Sequence, residues 1–276
     1  MKALFKGIAT ALITPFKKDE IDYKSMGKLI ESQIDAGISA LVILGTTGEA
    51  PTISDEERGE VIAFVVKKVA GRIPVIVGVG GNSPKKIIEY GTQAKRLGAD
   101  AVMISAPYYN KCTQEGGYKF FADITKCIQM PTIVYNVPGR TGINLEAETL
   151  ARISRLKYVV GIKEASGNIA QIADVIRLSK VPVYCGDDSL SFLCYVLGAK
   201  GTISVASHLA PKECIEIFDL VNANKIRSAR KLFFEQLPLY YSLFVKPNPI
   251  PVKYYLAKNG LCRNEVRLPL TAMIDS

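Results

Sequence analysis

The sequence predicts an α/β protein, a (β/α)8 or TIM barrel followed by a C-terminal helical subdomain. Three observations carry this. Eight short apolar, β-branched runs recur between Gly7 and Val205. Helix start and stop signals fall between those runs. Beyond about residue 222 the alternation gives way to helical stretches punctuated by prolines. A β–α alternation of this kind builds a parallel sheet, and eight units without a break suit a closed barrel.

The runs are 7–14, 40–44, 75–79, 101–105, 132–135, 159–162, 181–184 and 201–205. Each is almost continuously hydrophobic instead of alternating, the pattern of strands covered on both faces. Ser54-Asp-Glu-Glu57 forms a capping-box sequence whose helix stops at Gly71. Ser83-Pro84 reads as an N-cap with proline at the first helical position, and Gly98 closes that helix. Asn144 is expected to cap a helix through Ile153, and Asp188 to start a short one ending at Gly198. A doubly wound open sheet is the competing fold. Its nucleotide signature is missing, because Gly78-Val-Gly80-Gly-Asn-Ser83 places serine where the third glycine belongs. Helical patterns then cover about 224–244 and Pro251–Lys258, separated by Pro247, Pro249 and Pro251. The expected organisation is a barrel over 1–222 and a helical subdomain over 223–276.

Composition narrows the function. The 276 residues are 48% hydrophobic and 22% charged, as in ordinary soluble globular proteins. No apolar run reaches the ~18 residues of a membrane-spanning helix. The net charge is +9, but the positives are scattered pairs such as Lys17-Lys18 and Lys85-Lys86, without interleaved aromatics. That argues for a solvated basic surface attracting small anions over nucleic acid. Lys2 and Lys6 precede an apolar stretch with Ala9-x-Ala11, yet Lys6, Thr10, Thr14 and Pro15 leave it too broken for a signal peptide, and a first core strand is expected. Six cysteines show no C-x-x-C or zinc spacing, and several sit in apolar stretches, which suits reduced thiols in a cytoplasm. His208 is the sole histidine, so a paired-His metal site is excluded. It is expected to be structural, near a barrel rim.

In such a barrel the C-terminal strand ends build the active site. Lys163 ends a run with no turn residue before it. Pointing inward, it would be desolvated, with a lowered pKa and a nucleophilic amine suited to a Schiff base. Solvated, or paired with Glu164, it would be an ordinary strand-end lysine; spacing alone leaves both open. Tyr135 ends the neighbouring run and is either a proton relay or a rim tyrosine. Gly45-Thr46-Thr47-Gly48 offers N–H and hydroxyl donors for a carboxylate, or is only a turn. Arg140 is either a bidentate carboxylate clamp or a surface ion-pair partner.

The ordered combination is the specific signal. Gly-Thr-Thr-Gly-Glu (45–49), Tyr-Tyr-Asn (108–110), Tyr-Asn-Val-Pro-Gly-Arg-Thr-Gly (135–142), Gly-Ile-Lys-Glu-Ala (161–165), Gly-Asp-Asp (186–188) and Asn-Pro-Ile-Pro-Val-Lys (248–253) appear in that sequence. The chain resembles the dihydrodipicolinate synthase family of pyruvate-dependent class I aldolases, from Gly7 to Arg-Leu-Pro-Leu at 267–270. The resemblance implies a lyase of the diaminopimelate and lysine pathway. It implies condensation of pyruvate with L-aspartate 4-semialdehyde through an imine on Lys163, with no metal or other cofactor. Tyr135, Thr46 and Tyr109 would relay protons, Tyr109 reaching in from a neighbouring subunit of a homodimer or homotetramer. Thr46 and Thr47 would hold the pyruvate carboxylate, and Arg140 the carboxylate of the aldehyde. Gly186 and Ile203 would line the site with their backbone. N-acetylneuraminate lyase and 2-keto-3-deoxy sugar-acid aldolases share the lysine and tyrosine, but typically carry Ser-Thr in place of Thr46-Thr47 and lack Arg140.

Two departures stand out. Relatives usually continue for one more helix past the position of Ser276. The positions matching the family's allosteric site are Ala50, Pro51, Asp55, Arg58, Asn82, Lys86 and Tyr108. Lysine-inhibited relatives tend to carry an acidic group where Lys86 stands, so feedback by lysine is expected to be weak or absent.

Overall fold

The eight apolar runs form eight parallel strands that close on themselves. The computed structural model describes residues 3–274. Lys2, and residues 275–276 of the expected C-terminal subdomain, lie outside them. The strands are β1 (Gly7–Ala11), β2 (Phe16–Lys17), β3 (Glu20–Ile21), β4 (Ala40–Ile43), β5 (Val75–Gly78), β6 (Ala101–Ser105), β7 (Thr132–Asn136), β8 (Val159–Glu164), β9 (Val183–Cys185) and β10 (Gly201–Ser204). The barrel runs β1-β10-β9-β8-β7-β6-β5-β4, and β2 and β3 form a separate antiparallel hairpin that no sequence signal announced.

Near-continuous hydrophobicity has a simple cause here. Alternate side chains point into and out of the barrel, and both directions are apolar. Ala9, Val42, Ile76, Met103, Ile133, Tyr184 and Ile203 fill the interior. Ile8, Leu41, Val77, Val102, Val134 and Ile162 face out, among the helices. Those helices are α1 (Tyr23–Asp35), α2 (Asp55–Val69), α3 (Pro84–Arg96), α4 (Gln114–Ile128), α5 (Pro138–Thr141), α6 (Ala147–Ile153), α7 (Ile169–Leu178), α8 (Ser191–Leu197), α9 (Pro211–Asn222), α10 (Ile226–Ser242) and α11 (Ile250–Lys258).

The capping box at Ser54 and Glu57 is formed in both directions, and its helix ends at Val69 before Ala70 and Gly71, both at positive φ. The helix starts at Ser83-Pro84 and Asp188, the latter running on to a stop at Gly198, hold with a refinement, and the Asn144 cap needs correction. Ser83 occupies the N-cap of α3 but its side chain accepts no hydrogen bond there; Pro84 at the next position supplies the start. Asn144 does not cap α6, whose N-cap is Glu146. Its side chain instead joins Asn136 and Gln171 behind β7. Asp188 opens a short 3-10 turn whose N-cap is Asp187, and its own carboxylate accepts from Val205 and Ala206 N–H, both at 2.9 Å.

His208 is structural, as expected. Its Nδ1–H donates to Val205 O at 2.8 Å, and Nε2 accepts from Ile13 N–H at 3.2 Å. Burial pushes its pKa down to about 4, so the ring stays neutral. All six cysteines are free, with Cys185, Cys194 and Cys214 buried. Among the described residues no helix is long and apolar enough to cross a membrane.

Candidate active site

Tyr135 and Lys163 are paired residues on the adjacent strands β7 and β8. Shared register in a parallel pair sends both side chains to the same face, and that face is the barrel interior. Lys163 Nζ lies 4.2 Å from the centroid of the Tyr135 ring. The lysine is 6% exposed. Burial pulls its pKa down to about 8, with the nearby Arg140 cation adding to the effect and the Asp188 carboxylate opposing it. Glu164 is sent to the opposite face, where it accepts from Asn136 Nδ2 and Ser166 N–H. The reading of Lys163 as a lysine paired with Glu164 therefore falls away.

Burial raises the Tyr135 phenol to about 12, although Arg140 and a hydrogen bond with Thr46 pull the other way. The phenol keeps its proton at neutral pH and is equipped to pass it on. Gly186 completes the lysine's berth. A Cβ there would stand 3.0 Å from Lys163 Cε and 2.7 Å from the Ala165 side chain.

A cavity of about 560 Å³ opens at this end of the barrel. Thr46, Tyr108, Tyr135, Arg140 and Asn248 line it, as do Pro269 and Leu270 from the C-terminal segment. Ala50, Pro51, Arg58, Asn82 and Lys86 line the same cavity. Arg58 donates to Gly78 O at 3.0 Å and stacks 4.1 Å from the Tyr90 ring centroid. Lys86 meets the Asp55 carboxylate at 2.6 Å.

The structure thus brings Lys163, Tyr135, Thr46 and Arg140 together. Thr47 is buried against the Asn248 amide, and Ile203 lies in the interior core. Tyr109 stands apart. It is 90% exposed on a loop with φ of +66°.

Sequence reasoning gives Asn248 and Asp188 a place in the motifs at 248–253 and 186–188 but no chemical role of their own. Asn248 donates to Thr47 Oγ1 at 2.9 Å, and its backbone O accepts from Arg140 at 3.4 Å. Asp188 is the carboxylate acting on Lys163. The only sequence signal for Asn248 is its place in the Asn-Pro-Ile-Pro-Val-Lys motif.

A family model described as the Dihydrodipicolinate synthetase family matches residues 4–276. The chain belongs to this family. It is 45% identical over 273 residues to the 4-hydroxy-tetrahydrodipicolinate synthase of Kosmotoga olearia, covering 97% of this chain and 93% of that relative. Its fold is similar to the crystal structure of dihydrodipicolinate synthase from Thermotoga maritima. The TM-score is 0.97 at 42% identity, with 99% of this chain and 94% of that one covered. It is also similar to the family member from Cyanidioschyzon merolae with lysine bound. There the TM-score is 0.96 at 36% identity, over 99% and 94% of the two chains. Family membership and the closed eight-stranded barrel are those the motifs pointed to. The Dihydrodipicolinate synthetase family match also takes in the helices α10 and α11 that follow the barrel.

Proposed function

We propose that this chain is a 4-hydroxy-tetrahydrodipicolinate synthase that condenses pyruvate with L-aspartate 4-semialdehyde on Lys163. One observation carries the assignment of roles: a buried amine with its pKa drawn to about 8, set 4.2 Å from the ring of a phenol that holds its proton.

The neutral amine attacks the pyruvate keto carbon, and a proton passed through Tyr135 lets the carbinolamine lose water and become the imine. Loss of a methyl proton gives the enamine, whose carbon adds to the aldehyde and leaves a hydroxyl. The adduct's own amine then attacks the imine carbon, expels Lys163 and closes the ring. Thr46 lies between the phenol and the carboxylate seat. Thr46 and Thr47 hold the pyruvate carboxylate, and Arg140 receives the carboxylate of the aldehyde. Gly186 and Ile203 supply backbone walls. The scheme uses a covalent imine in place of a bound cofactor, and both substrates are anions that suit a chain of charge +9.

In this reading Tyr109 completes the relay in a neighbouring copy, so the working form is a homodimer or homotetramer; its 90% exposure supports a role outside its own barrel. Residues 1–222 act as the catalytic barrel and 223–276 as a helical subdomain, in the cytoplasm.

Borohydride reduction in the presence of pyruvate tests the central step. The wild type gains the mass of reduced pyruvate at Lys163, and Lys163→Ala gains none. Equal labelling of both proteins would remove Lys163 from the mechanism. Turnover of pyruvate with aspartate semialdehyde, alongside absence of N-acetylneuraminate cleavage, tests the substrates.

A further inference from the structure

Two segments 201 residues apart meet at the wall of the cavity. Asn248 touches both groups assigned to substrate carboxylates. Its Nδ2 donates to Thr47 Oγ1 at 2.9 Å, and its backbone carbonyl accepts from Arg140 Nη2 at 3.4 Å. The residue is 6% exposed, and its Oδ1 is buried without a hydrogen-bond partner. A buried amide that leaves one end unpaired is a poor choice for packing alone, because that end has lost its water.

The gain lies in the polarity of the hydroxyl. A threonine hydroxyl has one proton to give and lone pairs to receive. With the Asn248 N–H on a lone pair of Thr47 Oγ1, the Thr47 proton is free to point elsewhere. A carboxylate accepts only, so a threonine that serves it must be a donor. We propose that Asn248 is a positioning residue: it fixes the Thr47 hydroxyl as a donor to the pyruvate carboxylate and gives Arg140 a seat in the same contact. This rests on the reading of Thr46 and Thr47 as the carboxylate site.

A second contact holds the segment in place. Lys253, one turn into α11, forms a buried ion pair with Glu49, two residues beyond Thr47. The turn and the motif are therefore clamped at two points, 47 to 248 and 49 to 253.

Asn248→Ala, Asn248→Asp and a Thr47→Val background together separate positioning from packing. Asn248→Ala is expected to lower kcat/KM for pyruvate roughly tenfold, mostly through KM, by loosening the hydroxyl. Asn248→Asp preserves shape but can only accept; it draws the Thr47 proton onto itself and adds a negative charge, for an expected loss of about a hundredfold. A purely structural role would leave the Asn248→Ala effect independent of Thr47, which the double variant reads directly. In a Thr47→Val background the Asn248→Ala effect should shrink to less than about twofold. Borohydride labelling of each variant at saturating pyruvate reports whether the lysine chemistry and fold persist. The proposal alone is overturned if the wild type labels but Asp is milder than Ala, or if the Asn248→Ala effect is undiminished in the Thr47→Val background. Failure of the wild type to label overturns the underlying reading of the site.

Discussion

Lys163 and Glu164 are chain neighbours with opposite surroundings. One enters the barrel with the Tyr135 ring 4.2 Å from its amine; the other leaves it, held by Asn136 and Ser166. The sequence alone cannot choose between a buried and a paired lysine, because strand phase is set by the register with β7. That register places 163 opposite 135. With a pKa of about 8, the amine is mainly protonated below that pH and mainly neutral above it. The neutral form is the nucleophile. Imine formation at subsaturating pyruvate is therefore expected to rise with pH, about tenfold per unit well below pH 8, and to level off above it. Timed borohydride quenching from pH 6 to 9.5 measures this. A flat profile would mean that the amine is already neutral at pH 6, or that another step limits.

Elements are more legible than the contacts between them. Every apolar run is a strand, and the Ser54–Glu57 box forms as written, since both signals act within a few residues. The hairpin of β2 and β3 escapes a sequence reading because its strands hold two residues each. Its Phe16 is fixed by distant partners: Lys253 Nζ lies 4.0 Å and the Arg267 guanidinium 4.4 Å from its ring centroid. Asn144 misleads for the same reason, as a residue that suits a helix start but whose partners lie on other elements. The Lys253–Glu49 pair makes a testable link between α11 and the turn after β4. Both side chains are almost wholly buried, and burial lowers the lysine's pKa despite the carboxylate beside it. Lys253→Met leaves the Glu49 charge without a counter-ion. It is expected to destabilise the protein by about 3–5 kcal/mol, while Glu49→Gln with Lys253→Met recovers most of the loss. Denaturant midpoints of the wild type, both single variants and the double check the pattern; additive losses would show that the two side chains do not act as a pair.

At the scale of the whole molecule, two groups of residues share one cavity. Tyr135 and Arg140 line it, and so do Ala50, Arg58, Asn82 and Lys86. The second group holds positions where the family resemblance leads one to expect an effector site, and the Cyanidioschyzon merolae relative has been solved with lysine bound. In this chain the Asp55 carboxylate is engaged by the Lys86 ammonium at 2.6 Å, and Glu89 lies 3.5 Å from the same cation. A lysine effector would bring its own ammonium to acids that already hold one. Weak or no inhibition by lysine is the expected result, and Lys86→Glu should increase sensitivity. Initial rates over a lysine titration decide it; strong submillimolar inhibition of the unmodified protein would count against the argument.

The cavity wall is closed from the far end of the chain. Arg267 joins the hairpin at Asp19, the turn at Glu49 and the start of α2 at Glu57, and Pro269 and Leu270 line the cavity beside Asn248. Synthesis on the ribosome runs from residue 1 upward, so all eight barrel strands emerge before Asn248, Arg267, Pro269 and Leu270. The chamber beside Tyr135 is thus finished by groups that follow every barrel strand along the chain.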